Sequence, residues 1–526
     1  MGQNIDEKWW SSATLYQIYV RSWKDSNGDG VGDFKGLIGN FDHIVDLGVD
    51  GVWLSPINPS PNKDYGYDVA DYVGINPEYG TLEDFIEMVG LFQKNSIKLI
   101  MDLVPNHSSS QHQWFIEASK STENSYRDYY VWSKGRDGGK TPPNNWLDAT
   151  GVSAWTFDDA TGEYFLHNFL VDQPDLNWWN PKVQQEFRDI LKFWFDLGVD
   201  GFRIDVAHGI FKDAQLRDDP PAKGGELGAN YHVLPVYSAN RPEVHDLYKS
   251  WREIAEKYTP ERVLLGETWV NDPVALVKFF GDDDELQLTF NFGFVMTKFN
   301  ARAMHDAVHL ALSEQPASSI ATWTGSNHDI SRFPTRWCDN DEALIRLALV
   351  FLLTMPGVVV LYYGDEIGGV DADIPRESMV DTMSLDSVKN VFLRDRARTP
   401  LHWDDSKGRG FSSSASTWLP SVDAPFGSVA AQRGDDGSIL SLTKELIKIH
   451  KEIHGKAQVI DIFLSDERWI YEINGFIVDL IFTGSDGALP IQEYLPTDDL
   501  EAIIVTAPNE AKVSLEGASA AIFRRK

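Results

Sequence analysis

Short apolar runs recur along the chain and alternate with longer stretches of helical hydrophobic spacing. Strand-like runs separated by helices are typical of βα units, in which the strands lie parallel. Eight candidate strands follow one another in the sequence: Thr14–Ser22, Gly51–Pro56, Lys98–Val104, Gly201–Val206, Val263–Thr268, Leu286–Phe292, Ser319–Gly325 and Val358–Tyr363. Eight such units predict an α/β protein built on a closed (β/α)8 barrel, the TIM barrel.

A short internal repeat supports this interpretation. The sequence Leu-Gly-Val-Asp-Gly occurs at 47–51 and again at 197–201, each time after a helical segment and before a strand. The same turn chemistry used twice is what a repeated βα unit predicts.

Two further regions interrupt or follow the barrel pattern. The segment after the third strand is too long for a βα loop, and it contains Gly, Pro, Asn and aromatic clusters. We expect an inserted subdomain at 106–174, with the catalytic barrel formed by 1–105 and 175–455. After this, short β segments such as Phe476–Phe482 and Ala502–Thr506 predict a C-terminal antiparallel β-sandwich at 456–526.

The length and charge limit the classes of function. A chain of 526 residues is too long for one ordinary core, so two or three domains are expected. The formal net charge of −32 repels phosphate backbones and anionic lipid, which argues against nucleic-acid and membrane-surface roles. It is compatible with a neutral substrate such as a sugar. A single cysteine, Cys338, excludes an intrachain disulfide.

The location of the protein is expected to be cytoplasmic. The first ten residues have no basic stretch followed by an apolar run, so they do not look like a signal peptide. The most apolar stretch, Leu344–Tyr363, is interrupted by Arg346 and by Pro356-Gly357, which favours a buried helix followed by a buried strand over a membrane span. We expect a monomer or a small homo-oligomer; the sequence does not distinguish them.

Acidic residues stand at the ends of several predicted strands. Asp102 ends the third strand, Asp205 the fourth and Glu267 the fifth, and Asp329 follows the seventh. Arg203, two residues before Asp205, faces the same side of its strand. Because active sites of these barrels lie where the strands end, we expect the acids to converge with His107 and His328 on one place.

Such a set of carboxyls suits the hydrolysis of glycosides. A retaining enzyme needs a protonated acid and an ionised nucleophile on either side of the scissile bond, about 5–5.5 Å apart. Arg203 beside Asp205 would keep the nucleophile ionised, and Glu267 could be desolvated enough to hold a proton.

The same residues carry a family resemblance. Asp102-Leu-Val-Pro-Asn-His107, Gly201-Phe-Arg-Ile-Asp205, Gly266-Glu-Thr268 and Asn327-His-Asp329 resemble the signature stretches of glycoside hydrolase family 13, the α-amylase superfamily. Gln173-Pro-Asp-Leu-Asn177 resembles a motif of its oligo-1,6-glucosidase and α-glucosidase branch. The resemblance implies that Asp205 is the nucleophile, Glu267 the acid/base and Asp329 the group that stabilises the distorted sugar.

The resemblance also implies substrate-binding residues. His107 and His328 would hydrogen-bond the sugar, and Arg203 would orient Asp205. Asp64 and Tyr67 stand in a stretch that resembles the sugar-stacking loop, where they would recognise the non-reducing glucose, and Arg398 would pair with Asp64. Recognition of that terminal glucose would make the enzyme exo-acting.

A loop after the first strand has the oxygen ligands of a calcium site. Its first, third, fifth and ninth positions are Asp25, Asn27, Asp29 and Asp33, but the glutamate that completes an EF-hand is absent. Members of the resembling branch carry calcium in such a loop, and there the carbonyl at the place of Val31 contributes. We therefore expect a structural Ca²⁺.

The linkage that is cleaved stays open. By resemblance, Val206 after the nucleophile accompanies α-1,6 activity, whereas Ala207-His208-Gly209 and Phe333–Arg336 resemble enzymes that also cleave maltose-type bonds. The prediction is a retaining exo-acting α-glucosidase that acts on short oligosaccharides. Transglycosylation and sucrose isomerisation are alternatives on the same residues, and a catalytically inactive partner protein or a pure carbohydrate-binding protein are the alternatives from another class.

Overall fold

The computed structural model describes residues 8–223, 230–270, 272–383, 393–414, 416–483, 491–495, 500–506 and 518–525. Met1 to Glu7, on which part of the expectation about the N-terminus rests, lie outside this range. The strands are β1 (Thr14–Ile18), β2 (Gly51–Leu54), β3 (Lys98–Leu103), β4 (Trp132–Ser133), β5 (Trp155–Asp158), β6 (Glu163–Leu166), β7 (Gly201–Ile204), β8 (Val263–Gly266), β9 (Leu288–Thr289), β10 (Thr322–Thr324), β11 (Val358–Tyr362), β12 (Ile460–Leu464), β13 (Arg468–Ile473), β14 (Phe476–Ile481), β15 (Leu500–Val505) and β16 (Ser519–Arg525).

The α-helices cover the barrel and connect its strands. They are α1 (Val20–Trp23), α2 (Phe34–Gly39), α3 (Phe41–Leu47), α4 (Leu82–Lys94), α5 (Gln113–Ala118), α6 (Pro181–Asp196), α7 (Glu243–Ala255), α8 (Pro273–Leu276), α9 (Phe292–Val295), α10 (Ala301–Glu314), α11 (Phe333–Arg336), α12 (Glu342–Leu353), α13 (Val429–Gln432) and α14 (Ile439–His450). Short 3₁₀ turns lie between several of them.

Eight parallel strands form a nearly closed barrel, in the order β10-β11-β1-β2-β3-β7-β8-β9. Each of the eight predicted segments contains one of these strands, so the TIM-barrel prediction is confirmed. Because all strands are parallel, their carboxyl ends lie at one end of the barrel, and the strand-end acids are gathered there.

The repeated Leu-Gly-Val-Asp-Gly motif has the same backbone geometry and the same hydrogen bond at both places. Gly48 and Gly198 have φ of +79° and +102°, a backbone conformation that suits glycine after a helix. Asp50 then accepts a hydrogen bond from the backbone N–H of Thr14, 2.9 Å, at the start of β1. Asp200 does the same for Leu99 in β3, 3.1 Å. The motif therefore joins a helix end to the beginning of the neighbouring strand.

The segment after β3 carries its own small sheet. Strands β4, β6 and β5 pair antiparallel in this order, and they surround a separate apolar cluster that includes Trp146 and Trp155. The exact limits of this subdomain stay a prediction.

The C-terminal region forms a five-stranded antiparallel sheet in the order β12-β13-β14-β16-β15. Alternate side chains face opposite ways: Trp469 and Tyr471 join the core of the barrel, whereas Ile470 and Ile477 belong to a smaller cluster on the other face. The predicted antiparallel β domain is confirmed, and its described residues form this single sheet.

Leu344–Tyr363 contains all of α12 except its first two residues, and all of β11, as the sequence indicates. The described part of the chain has no helix with the length and apolar composition needed to cross a membrane.

Candidate active site

The register of the central strands brings three acids to one arginine. Asp102 in β3 is paired with Arg203 in β7, and Asp205 and Glu267 each follow directly on a strand. The ladder continues through both acids, because Asp205 N–H donates to Leu103 O at 2.8 Å and Glu267 N–H to Ile204 O at 2.9 Å. The side chains of these acids therefore have defined positions at the barrel's end.

Arg203 holds three carboxyls at once. Its Nη1 donates to Asp102 Oδ1 at 2.9 Å and to Asp205 Oδ1 at 2.7 Å, and its Nη2 lies 2.8 Å from Glu267 Oε1. The Arg203 side chain is fully buried. Asp205 and Glu267 are thus close neighbours, each bound to one terminal nitrogen of the same guanidinium.

Glu267 is also held from both sides of its carboxyl group. Trp269 Nε1–H donates to Oε1 at 3.2 Å, and Val206 N–H donates to Oε2 at 3.0 Å. Val206 has a φ of +47°, a left-handed conformation that is strained for a β-branched residue. This conformation accompanies the hydrogen bond to the neighbouring acid.

Three carboxyls share the positive charge of Arg203, and this affects the pKa values of the acids. Burial raises the pKa of Asp205 well above its ordinary value, and Arg203 opposes this rise. Burial likewise raises the pKa of Asp102 to about 7. Arg203 thus favours the ionised form of Asp205, as the sequence suggests, but one guanidinium faces three buried carboxyls and opposes only part of the effect of their burial.

Asp329 lies in a different environment. His328 Nε2 is 3.2 Å from its Oδ2, and both Arg394 Nη1 and Arg398 Nη2 donate to its Oδ1, at 3.0 and 2.9 Å. Burial raises the pKa of Asp329, but His328 and the two arginines lower it by a larger amount. The pKa of Asp329 is therefore below its usual range. Asp329 is therefore an anion, and with 22% of its side chain exposed it is open to a ligand.

Tyr67 and His328 form a stacked pair. Their ring centroids lie 5.0 Å apart with an interplanar angle of 3°. The hydroxyl of Tyr67 donates to Asp102 Oδ2 at 2.9 Å, and Gln17 Nε2 lies 2.8 Å from Nδ1 of His328. Both rings are fixed in one orientation by these contacts.

The position of Asp64 corrects one prediction. Arg394, not Arg398, pairs with Asp64, at 2.7 Å from Nη2 to Oδ1. Arg398 instead donates to Asp329 and to the carbonyl of His328. The correction has a steric origin: the side chain of Arg398 is fully buried behind His328, and Arg394 lies on the turn that reaches Asp64.

Gln173, which lies in the inserted segment, connects Asp64 with His107. Gln173 Nε2 donates to Asp64 Oδ2 at 3.0 Å and lies 3.1 Å from Nε2 of His107. The predicted catalytic and substrate-binding residues thereby form one connected network: Asp64, Tyr67, His107, Arg203, Asp205, Glu267, His328, Asp329 and Arg398.

Three members of this network were not among the predicted site residues. Asp102 stands at a predicted strand end and Gln173 in a motif, so the sequence contains a signal for both. Arg394 has none, because it lies in a short 3₁₀ turn and is followed by two more arginines, Arg396 and Arg398, two and four residues later.

The predicted metal residues lie on a separate loop. The carboxylate of Asp25 accepts from the N–H groups of Asn27, Gly28 and Gly30, and Asp29 accepts from Val31. These bonds wind the loop into consecutive tight turns. Asp33 caps α2, with Oδ1 accepting from Gly36 N–H at 2.7 Å and Oδ2 from Ser26.

The chemistry of this loop fits a hard cation. Carboxylate, amide and carbonyl oxygens are the ligands that Ca²⁺ takes in proteins. Within the described residues, no Lys or Arg forms an ion pair with Asp25, Asp29 or Asp33. Their negative charge thus has no basic counterpart there. Asp33 combines a possible ligand role with its helix cap.

Comparison with known proteins agrees with the geometry. The family described as alpha amylase, catalytic domain, matches residues 17–457. Maltase 1 of Drosophila virilis is 40% identical over 433 residues, which cover 78% of this chain and 67% of the relative. Oligo-1,6-glucosidase of Parageobacillus thermoglucosidasius is 37% identical over 507 residues, which cover 89% of this chain and 88% of the relative.

A solved structure extends the similarity to the whole chain. The crystal structure of an alpha-glucosyl transfer enzyme, XgtA, superposes with a TM-score of 0.90 at 31% identity, covering 99% of this chain and 100% of that one. Together with the family match over most of the sequence, these relatives confirm the resemblance to the α-glucosidase branch. The chain belongs to the alpha-amylase family, glycoside hydrolase family 13, and it is a glycoside hydrolase.

Proposed function

We propose that the protein is a retaining, exo-acting α-glucosidase that releases terminal α-linked glucose from short oligosaccharides. The observation that carries this proposal is the placement of Asp205 and Glu267 on the two terminal nitrogens of Arg203. Retaining enzymes hold their two carboxyls about 5–5.5 Å apart, whereas inverting ones need about 6.5–9.5 Å. A single guanidinium between the pair favours the shorter separation.

In the first step, a carboxylate oxygen of Asp205 forms a bond to the anomeric carbon. The glycosidic bond breaks, and the departing oxygen takes the proton of Glu267. In the second step, Glu267 accepts a proton from water, the water oxygen attacks the anomeric carbon, and the bond to Asp205 breaks. Both steps invert the anomeric carbon, so the configuration is retained overall.

A proton on Glu267 would also lower the pKa of the neighbouring Asp205. Both acids and Asp102 share one guanidinium, and the charges of Glu267 and Asp102 raise the pKa of Asp205. A proton on Glu267 removes one of these charges and leaves more of Arg203 to Asp205. The reactive pair is therefore a protonated Glu267 beside an ionised Asp205.

Exo-action follows from the network around Asp64. Asp64 and Asp329 are both bound to Arg394, and Gln173 closes the gap between Asp64 and His107. These charged and amide groups provide fixed hydrogen-bonding partners for the hydroxyls of one terminal sugar ring. A longer chain cannot continue past them, so only the terminal residue is cleaved.

The function is tested by removing each acid without changing its shape. Asp205→Asn and Glu267→Gln should each lower kcat on an α-glucoside by more than about 1000-fold, because a nucleophile or a proton donor is lost. Thermal unfolding should confirm that both variants fold. Proton NMR of the wild-type reaction should detect α-glucose first, and early β-glucose would exclude retention.

The preferred linkage and the acceptor are decided by a substrate panel. Maltose, isomaltose, sucrose, trehalose and maltotriose, with all products separated, distinguish hydrolysis from transfer to a second sugar. The similarity to an alpha-glucosyl transfer enzyme favours transglycosylation as the second candidate, because transfer uses the same glucosyl–Asp205 intermediate and replaces only water.

We also propose a structural Ca²⁺ in the loop after β1. Asp25, Asn27, Asp29 and Asp33 would supply side-chain oxygens and Val31 its carbonyl. The ion would neutralise the acids of the loop. Asp25 Oδ2 also accepts a hydrogen bond from Ser412, so the loop is tied to a segment that is distant in sequence.

A further inference from the structure

Two histidines of α10 face an aspartate of the C-terminal sheet. His305 and His309 lie one helical turn apart, and Asp461 lies on β12. Nε2 of His305 is 3.0 Å from Asp461 Oδ2, and Nε2 of His309 is 3.3 Å from both oxygens of that carboxylate. Among the described residues, this is the one group of three metal-binding side chains whose ligand atoms all lie within 4.8 Å of one another.

The spacing is that of a tetrahedral metal site. Zn²⁺ takes nitrogen and oxygen ligands at about 2.0–2.1 Å, which places neighbouring ligand atoms about 3.3 Å apart. The distances from both histidines to Asp461 already have this size. Small adjustments of the side chains would bring the two histidines to the same separation.

His305 and Asp461 each contact a further side chain that can orient them, as metal ligands commonly do. Asp306 Oδ1 lies 2.7 Å from Nδ1 of His305, so Asp306 can orient this ring from outside while Nε2 faces the shared centre. Trp469 Nε1–H donates to Asp461 Oδ1 at 2.8 Å, which leaves Oδ2 for the shared centre. The buried Trp469 ring also packs edge-on against His305.

The three side chains point their ligand atoms into one small volume. Nε2 of His305 lies 3.0 Å from Asp461 Oδ2, and the two histidine rings lie with their centroids 4.3 Å apart. One divalent ion at this centre would take a ligand atom from each of the three side chains and neutralise the carboxylate. The site is accessible, because 17%, 37% and 38% of the three side chains are exposed.

We propose that His305, His309 and Asp461 bind a divalent transition metal of the zinc class, with water as the fourth ligand. Imidazole nitrogens select such ions over Ca²⁺ and Mg²⁺, which prefer all-oxygen sites. The metal joins α10 of the barrel to β12 of the C-terminal sheet. It fixes the C-terminal domain to the barrel and takes no part in the cleavage of glycosides.

The test uses the full-length protein after treatment with a chelator. Calorimetric titration with ZnCl2 should give about one strong site per chain. At roughly 100-fold excess over the dissociation constant, zinc should raise Tm by about 2–5 °C, whereas MgCl2 should not. Co²⁺ at the site should give the visible absorption bands of tetrahedral coordination.

His309→Gln and Asp461→Asn should each weaken zinc binding by more than about 100-fold and abolish the Tm shift. Both should retain wild-type glucosidase activity, since neither side chain touches the acid network. His454→Gln is the matched control, because His454 is exposed and belongs to no such cluster. Absence of strong zinc binding in the wild type, or an unchanged zinc response in both ligand variants, would overturn the proposal.

Discussion

At the scale of single residues, Arg394 has the most consequential position outside the acids themselves. Its Nη2 binds Asp64 and its Nη1 binds Asp329, so one side chain sets the distance between the two groups that we propose contact the sugar. Hydrogen bonds to charged groups contribute about 1.5–3 kcal/mol each. Loss of this arginine should therefore release both groups from their fixed positions and weaken substrate binding.

We predict that Arg394→Gln lowers kcat/KM on maltose by about 10–100-fold, mainly through KM. Arg396→Gln is the matched control, since Arg396 is two residues away and pairs only loosely with the exposed Asp373 at 3.4 Å. Steady-state kinetics of both variants decide the matter. Equal effects of the two substitutions would contradict the role given to Arg394.

The pKa of Asp205 gives a prediction about pH. An ionised Asp102 raises the pKa of Asp205 and competes with it for Arg203. In Asp102→Asn the repulsion is gone, so the pKa of Asp205 falls and the nucleophile stays ionised to a lower pH. The acidic limb of kcat/KM should shift downwards by about one pH unit or less.

The comparison for this prediction is Tyr67→Phe, which loses the hydrogen bond to Asp102 but changes no charge. Its acidic limb should not move downwards. Only the position of the limb is informative, because both substitutions also lower the rate. An unmoved or raised limb in Asp102→Asn would show that Asp102 does not control the nucleophile.

The meeting of Asp205 and Glu267 could be predicted from the sequence because both follow strands directly, and the barrel end brings strand ends together. The partner of Asp64 could not. Arg394 and Arg398 are one helical turn apart in sequence, and only the burial of Arg398 behind His328 decides which one reaches Asp64. The contact of three carboxyls with Arg203 could not be predicted either, since it depends on the register of β3, β7 and β8.

At the scale of elements, apolar runs located every barrel strand but overestimated their lengths. The run Leu286–Phe292 contains only the two paired residues of β9, and its last residue begins α9. Buried segments on either side of a strand are as apolar as the strand itself, so hydrophobicity alone does not show where pairing ends. Glycines located the helix ends more exactly than apolar runs located the strand ends, because Gly48 and Gly198 have the backbone conformation that ends a helix.

The loop after β1 leads to a prediction about calcium. Removal of Ca²⁺ by a chelator should lower Tm by a few degrees, since an ion at about 100-fold excess over its dissociation constant stabilises by about 2.7 kcal/mol. Asp29→Asn should weaken this response, because it removes a charge while its oxygen can still accept from Val31 N–H. Differential scanning calorimetry with and without Ca²⁺ measures both.

Asp71→Asn is the control for this experiment. Asp71 is exposed and accepts from Val73 N–H at 3.0 Å, the same local turn as at Asp29, but it belongs to no ligand loop. Its calcium response should equal that of the wild type. A Tm that is indifferent to chelation in all three proteins would refute a structural ion in this loop.

At the scale of the whole molecule, the charge distribution favours a neutral substrate. The net charge is −32, and the acids of the site outnumber its arginines. Asp381, which forms an ion pair with Arg394, adds a sixth acid to the five described above. The six acids, Asp64, Asp102, Asp205, Glu267, Asp329 and Asp381, face three arginines, Arg203, Arg394 and Arg398. Both the surface and the site therefore repel anions, and a neutral sugar approaches without this penalty.

Competitive inhibition at different ionic strengths measures this effect. The inhibition constant of neutral glucose should change by less than about twofold between 10 and 300 mM salt, because a neutral ligand has no charge to screen. Glucose 6-phosphate should bind more weakly than glucose at low salt, and salt should bring its inhibition constant closer to that of glucose by screening the repulsion. If the phosphorylated sugar instead binds more tightly as salt is lowered, the entrance of the site carries a local positive field, and its substrates would include anionic sugars.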